Sequence, residues 1–260
     1  MGIEFSKGGK IGTTEIRRSV RRGDIAPAKE RITTELAAEH AADPIKRAMD
    51  IMRVTEYLKR NERWRDNMMF IVGINFGLRV SDLRMLRFSD LINDDLSFKD
   101  TFPVFEKKTR NTRKRKRNRY ITVNDAVCDA VQLYLRHTPD VSLSDFMFRS
   151  ASHNGMKKNE PLSSVSIDRI LKGIAKECGL RMRMSTHSLR KTFAYHQMLI
   201  SNNDPRKLLL LQKLLGHSSV AQTLDYIGIT EEEIHDAYME LNLGQEKACI
   251  DTDILEEATG

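Results

Sequence analysis

Cysteine is scarce in this 260-residue chain: Cys128, Cys178 and Cys249 lie far apart and form no CxxC pair. An odd, scattered set builds neither a disulfide framework nor a zinc site and suits reduced thiols in a reducing compartment. Long apolar runs are missing as well. No stretch approaches the ~20 residues that a membrane span needs. The opening MGIEFSKGGKIG has no apolar core of the kind a signal peptide carries. There is no GxxxxGK[ST] loop, no HExxH and no clustered acidic metal set, which excludes the commonest nucleotide- and metal-dependent designs. Internal repeats are absent too.

What is present is the balance of a soluble globular protein, 40% hydrophobic and 30% charged, long enough for one large domain or two small ones. The net charge of +7 is concentrated in one place. Residues 107–119, KKTRNTRKRKRNR, hold nine bases and no acid, and outside them acids outnumber bases. The last thirty residues, from Glu231, carry a local −9. A concentrated cationic segment on a balanced body suits a polyanion, nucleic acid above all, although such runs also occur as solvated loops.

Along the chain, residues 1–42 are polar, with glycines at 2, 8, 9, 12 and 23, and read as a flexible arm with one helix near Ala28–Ala42. Asp43-Pro44 reads as a helix N-cap followed by proline, with Ile45, Met49, Met52 and Leu58 as the apolar stripe. A more apolar helix runs from Trp64 to Phe76 and stops at Gly77. Ser81 then caps SDLRMLRFSDL as a third helix. Phe102–Lys108 and Arg119–Val123 read as a β-hairpin around the basic loop, and MFRS at 147–150 as a further short strand. Asn124 caps a helix burying Val127, Val131 and Leu135. Ser163 or Ser164 starts a helix that ends at Gly179. Thr186 precedes HSLRKTFAYHQMLI, Asp204-Pro205 opens a helix ending at Gly216, and Ser218 or Ser219 caps VAQTLDYI. Thr230 and Glu233 make a capping box for EEIHDAYMEL. The expected class is mainly α with a small β-hairpin (α+β).

Four local signals carry chemistry, and each has an ordinary reading beside it. In THSLRKTFAYH, His187 and Arg190 stand at i and i+3 on one helix face, suiting an anionic substrate or a plain surface pair. In LLGHSSVAQTLDYI, His217 sits in a tight turn and Tyr226 nine residues on; a turn histidine is usually solvated and a helical tyrosine usually packed. FGLRVSDLRML sets Arg79 at a junction of helices, aimed into a cleft or out to solvent, with Asp82 able to hold its guanidinium. Lys108 ends the first strand of the hairpin and is one base among many.

Their order and spacing are specific. GLRVSDL, the KKT of the hairpin, THSLRKTFA and LLGHSS with its downstream tyrosine resemble the tyrosine recombinases, the family of phage integrases and other enzymes of mobile genetic elements. The resemblance spans about residues 43–244, leaving 245–260 as an acidic tail. It implies the catalytic-domain fold of that family and six active-site residues: Arg79, Lys108, His187, Arg190, His217 and Tyr226. Tyr226 would attack a DNA phosphodiester, leaving a 3′-phosphotyrosyl link and a free 5′-hydroxyl. Arg79 and Arg190 would stabilise the phosphorane with their guanidinium forks, helped by a hydrogen bond from His217. His187 would take the tyrosine proton and Lys108 would protonate the leaving oxygen. Neither metal nor nucleotide cofactor is implied, since permanent cations supply the charge and the phosphotyrosyl bond keeps the energy of the broken one.

The implied partner is double-stranded DNA, held by Lys107, Arg110, Arg113, Lys114, Arg115, Lys116, Arg117, Arg119 and Lys191. Family members assemble in a ring on DNA, so self-association in a tetrameric synapse is expected, with an accessory DNA-binding protein as a further partner and no membrane. The segment after Tyr226, with Ile234, Ala237, Tyr238 and Leu241 as an apolar stripe, would act between protomers. The expected setting is cytoplasmic, in a bacterial or phage-infected cell, at the nucleoid. One departure stands out: family members carry about a hundred residues before the catalytic domain, and here some 42 polar ones precede Asp43. Two other readings follow, a DNA-binding regulator without catalysis and a type IB topoisomerase-like enzyme that nicks and reseals.

Overall fold

The computed structural model describes residues 42–104, 119–151, 158–201 and 204–227. The N-terminal arm, the basic loop with Lys108, and everything after Ile227 lie outside the described residues. The helices in chain order are α1 (Ala48–Arg60), α2 (Trp64–Phe76), the short α3 (Val80–Leu83) and α4 (Phe88–Leu91), then α5 (Asp125–His137), α6 (Ser164–Glu177), α7 (Thr186–Ile200), α8 (Pro205–Leu215) and α9 (Val220–Ile227). Strands β1 (Thr101–Val104) and β2 (Arg119–Thr122) stand between α4 and α5. They pair antiparallel, Phe102 with Ile121 and Val104 with Arg119. Among the described residues the fold is mainly helical with a two-stranded antiparallel sheet, the class the sequence implies.

Helix α2 is the axis of the fold and packs against α5 and α7. Its apolar run puts Met68, Met69, Phe70, Val72 and Phe76 all in the interior. Burial all round is what such an apolar helix requires. It ends where expected: Gly77 takes φ +57°, and a Cβ there would lie 2.3 Å from the Phe193 ring on α7. Helix ends elsewhere follow local chemistry. Asn124 Oδ1 accepts from the Val127 N–H, Ser163 Oγ from Ser166 and Asp204 Oδ1 from Arg206. Each cap satisfies a donor that the first turn leaves open. Helix α5 buries Val127, Ala130, Val131 and Tyr134, with Leu135 only partly covered. At α7 the N-cap is Ser185, which forms a capping box with Ser188.

Three expectations are corrected. Asp43-Pro44 does not start a helix; α1 begins at Ala48. Residues 42–47 run non-helically past α7 instead. Ile45 donates its N–H to Thr192 Oγ1 (2.8 Å) and its carbonyl meets His196 Nε2 (2.9 Å), while Asp43 exchanges bonds with the Arg183 backbone. Backbone groups that a helix would pair internally are paired across the fold. The buried stripe of α1 is therefore Val54 and Leu58, with Met49 and Met52 64% and 59% exposed. SDLRMLRFSDL is two short helices, because Arg87 adopts an extended backbone bridged to Phe146 and caps α4. Ser81 lies inside α3, with Arg79 at its N-cap. Residues 147–150 form no strand; Arg149 makes a single bridge to Pro161.

Two apolar clusters result. The larger runs from Ile45 through α1–α6 to Leu189 near the start of α7. The smaller is centred on Ala194, Met198, Leu211, Leu215, Tyr226 and Ile227, from α7, α8 and α9.

Candidate active site

The site forms where helix ends meet at the border of the two clusters. Arg79 precedes α3 in an extended conformation, immediately after the turn that Gly77 makes possible. Its Nη2 donates to the Leu215 carbonyl at 3.2 Å. Arg190, on α7 and 2% exposed, donates Nη1 to the Gly77 carbonyl at 3.0 Å and Nη2 to the same Leu215 carbonyl. Gly77 and Leu215 stand at the C-terminal ends of α2 and α8, where carbonyls project unpaired and the helix dipole is negative. Gly216, at φ +64°, turns the chain and leaves the Leu215 carbonyl pointing at the two guanidinium groups. A carbonyl orients a guanidinium without cancelling its charge, so two permanent cations are set side by side.

His217 follows this turn. Its Nδ1 lies 3.0 Å from Thr223 Oγ1 on α9. Burial above all, and then the nearby guanidinium groups of Arg190 and Arg79, push the imidazole down to about 4, so it is neutral at neutral pH. Tyr226 packs its ring edge-on to the His217 ring, with centroids 4.9 Å apart and planes at 68°. Tyr226 is 3% exposed and belongs to the smaller cluster. Four of the six sequence candidates thus form two pairs, Arg79 with Arg190 at the Leu215 carbonyl and His217 with Tyr226, joined along the chain through Gly216 and by the charge that the guanidinium groups exert on His217.

His187 sits one turn ahead of Arg190 on α7, near the Ser185 cap. It lines an open cleft of about 700 Å³ together with Asp168, Lys172, Lys176 and Arg183. His187 shares α7 with Arg190 and carries the cleft's lining toward the other candidates. Lys108, Lys107, Arg110, Arg113, Lys114, Arg115, Lys116 and Arg117 lie outside the described residues. Arg119 is half-buried at the start of β2 and donates to the Phe76 carbonyl (3.2 Å), a third guanidinium at a helix C-terminus. Lys191, expected on a DNA-facing surface, is 4% exposed, with Nζ 5.4 Å from the Tyr226 ring centroid. One residue beyond Arg190, it falls on the α7 stripe that continues through Ala194 and Met198.

Sequence reasoning missed the Leu215 and Gly77 carbonyls and Thr223. Backbone acceptors carry no residue signature, although the glycine after each helix marked where they project. Thr223 could have been found by spacing, three residues before Tyr226 on one helix. Among the described residues no group of three or more His, Cys, Asp or Glu is arranged to hold a metal. No helix there is long and apolar enough to cross a membrane.

Comparison with known proteins places this arrangement. Residues 42–233 match the phage integrase family model. The chain is 34% identical over 199 residues to the probable integrase/recombinase YoeC of Bacillus subtilis, a match covering 76% of this chain and 96% of that one. It is 28% identical over 196 residues to the tyrosine recombinase XerA of Pyrococcus furiosus, covering 75% of this chain and 60% of that protein. Against the tyrosine recombinase XerC of Halalkalibacterium halodurans the match spans 49% of the relative. The chain thus corresponds to a part of the Xer relatives and to nearly all of the Bacillus one. The fold is also similar to a crystal structure of XerA recombinase, with TM-score 0.56, 21% identity and 79% of this chain against 66% of that one. A post-cleavage complex of XerH bound to its palindromic difH substrate matches at TM-score 0.53 and 17% identity, over 72% of this chain and 50% of the other. By sequence over most of its length, and by a fold that agrees, the chain belongs to the phage integrase family, the tyrosine recombinases.

Proposed function

We propose that the protein is a site-specific DNA recombinase that cleaves and rejoins strands through a 3′-phosphotyrosyl intermediate on Tyr226. The observation that carries this reading is the shared Leu215 carbonyl, which sets the Arg79 and Arg190 guanidinium groups together beside His217 and Tyr226. Two adjacent guanidinium forks suit the non-bridging oxygens of a scissile phosphate and the charge that grows on them during attack. A phosphate arriving there offsets the repulsion from Arg190 and Arg79, which adds to burial in keeping His217 neutral. His217 donates a ring N–H to the same oxygens, which the neutral imidazole can already do. His187 takes the tyrosine proton and Lys108 protonates the departing 5′-oxygen.

Double-stranded DNA is the partner, with Lys107, Arg110, Arg113, Lys114, Arg115, Lys116, Arg117 and Arg119 supplying sequence-independent phosphate contacts. Residues 43–244 act as the catalytic domain, preceded by an arm (1–42) and followed by an acidic tail (245–260). The segment from Glu231, with its net −9, is repelled by DNA and acts between protomers of a tetrameric synapse. An accessory DNA-binding protein supplies further grip, and the reaction takes place at the nucleoid in the cytoplasm. The deciding experiment is a suicide substrate with Tyr226→Phe. The variant should bind DNA as the wild type does and form no covalent adduct. An adduct formed without the Tyr226 hydroxyl would sink the assignment.

A further inference from the structure

We propose that Lys191 is a positioning residue for Tyr226, its buried ammonium set against the phenol ring so that the ring is held and its phenolate is favoured. This deepens the reading of Tyr226 as nucleophile and rests on it. Lys191 is 4% exposed and its Nζ stands 5.4 Å from the ring centroid. A lysine is rarely withdrawn from water, because desolvating an ammonium is costly unless something inside interacts with it. The face of an aromatic ring is such a partner.

The placement on α7 strengthens the case. Residues 191, 194 and 198 fall on one face of the helix, and Ala194 and Met198 are central to the apolar cluster that contains Tyr226. A helix that merely packed there would carry an apolar side chain at 191 too. The chain instead places a cation at the head of an apolar stripe, against the ring of Tyr226, whose hydroxyl is the nucleophile in the proposed reaction.

Among the described residues, titratable groups from two elements meet the ring. Lys191 approaches from α7, and His217 from the turn ahead of α9. Arg79 and Arg190 act electrostatically on His217, while α8 contributes Leu211 and Leu215 to the cluster. His217 is neutral at neutral pH, so of these two neighbours it is Lys191 that brings charge to the ring. A neighbouring cation stabilises a phenolate more than a phenol and so eases loss of the proton during attack. Arg190 and its sequence neighbour Lys191 then divide the work, one held for the phosphate and the other for the nucleophile.

The test compares Lys191→Met, which keeps length and apolar packing, with Lys191→Arg, which keeps charge. Single-turnover cleavage of a suicide substrate is followed across pH, and the Tyr226 hydroxyl is titrated separately by NMR of protein carrying ¹³Cζ-tyrosine, with Tyr226→Phe assigning the signal. Lys191→Met should move both the alkaline limb of cleavage and the Tyr226 titration upward by about one pH unit, with about tenfold slower cleavage at neutral pH. Lys191→Arg should restore most of the rate. Wild-type profiles in Lys191→Met would overturn the proposal. So would equal loss of cleavage in both variants with the Tyr226 titration unmoved, since that marks a purely structural lysine. Failure of the underlying reading looks different: Tyr226→Phe would then still form adduct.

Discussion

The larger apolar cluster draws on the segment at Ile45, on α1–α6, on the hairpin and on the start of α7, with bulky groups such as Phe70, Phe88 and Phe148 fully enclosed. The smaller has six central residues on three helices, and one of them is Tyr226 itself. Arg190 is tied to both clusters, through the Gly77 carbonyl at the end of α2 and the Leu215 carbonyl of the smaller cluster, and Arg79 is tied to Leu215 as well, whereas the nucleophile candidate on α9 belongs to the smaller cluster. Burial of apolar area sets how much free energy opposes local opening. The difference teaches that the phosphate-holding cations bridge the two clusters. The tyrosine stands within the smaller one, where less buried apolar area among the described residues opposes local opening. Helix α7 joins the two, with Leu189 in one cluster and Ala194 and Met198 in the other.

The sharpest break of this comparison is made at the arginines. Arg79→Ala and Arg190→Ala should each slow single-turnover cleavage by orders of magnitude, as expected when a donor worth ~3–4 kcal/mol to a transition state is removed. They should differ in stability. Arg190 is buried and serves both the Gly77 and Leu215 carbonyls, so its loss should lower the melting temperature more than loss of the half-exposed Arg79. Near-normal cleavage by either variant would remove that residue from the site.

A second pair of variants weighs the clusters directly. Phe70→Ala should cost about 3–5 kcal/mol and lower protection from hydrogen exchange throughout the molecule. Leu211→Ala should cost about 2–5 kcal/mol, with the effect concentrated in α8 and α9 while amides of α2 keep their protection. If Leu211→Ala exposes α2 as much as α9, the two clusters are one cooperative unit and the comparison fails.

The smallest effect concerns pH. In the unfolded chain His217 takes up a proton as pH falls below its ordinary value near 6.5, whereas in the folded protein burial and the two guanidinium groups delay this until about 4. The unfolded state therefore binds more protons between those limits, and stability declines as pH falls through that window. His217→Gln should flatten this part of the melting-temperature profile. An unchanged slope would mean that His217 is already protonated in the folded state.

Much of the fold was legible in local sequence. The apolar run from Trp64 to Phe76, the glycines that end α2 and α8, and the caps Asn124, Ser163 and Asp204 all act within about one helical turn. Nothing distant is needed to satisfy them. Asp43-Pro44 carries the same kind of signal and yet forms no helix, because α7 and Arg183 offer its neighbours hydrogen bonds that a local reading does not see. The order Arg79, His187, Arg190, His217, Tyr226 was likewise readable as a pattern of residue types.

The sequence by itself determined which side chains were available and where most helices stop. Only the tertiary structure decided that Arg79 and Arg190 meet at one carbonyl, across separations of 136 and 25 residues, and that Lys191 turns inward to Tyr226. The reason is physical. Caps and turns are set by neighbours in the chain, whereas a guanidinium held by the end of another helix depends on how α2, α7 and α8 pack, and a backbone carbonyl is the same group in every residue.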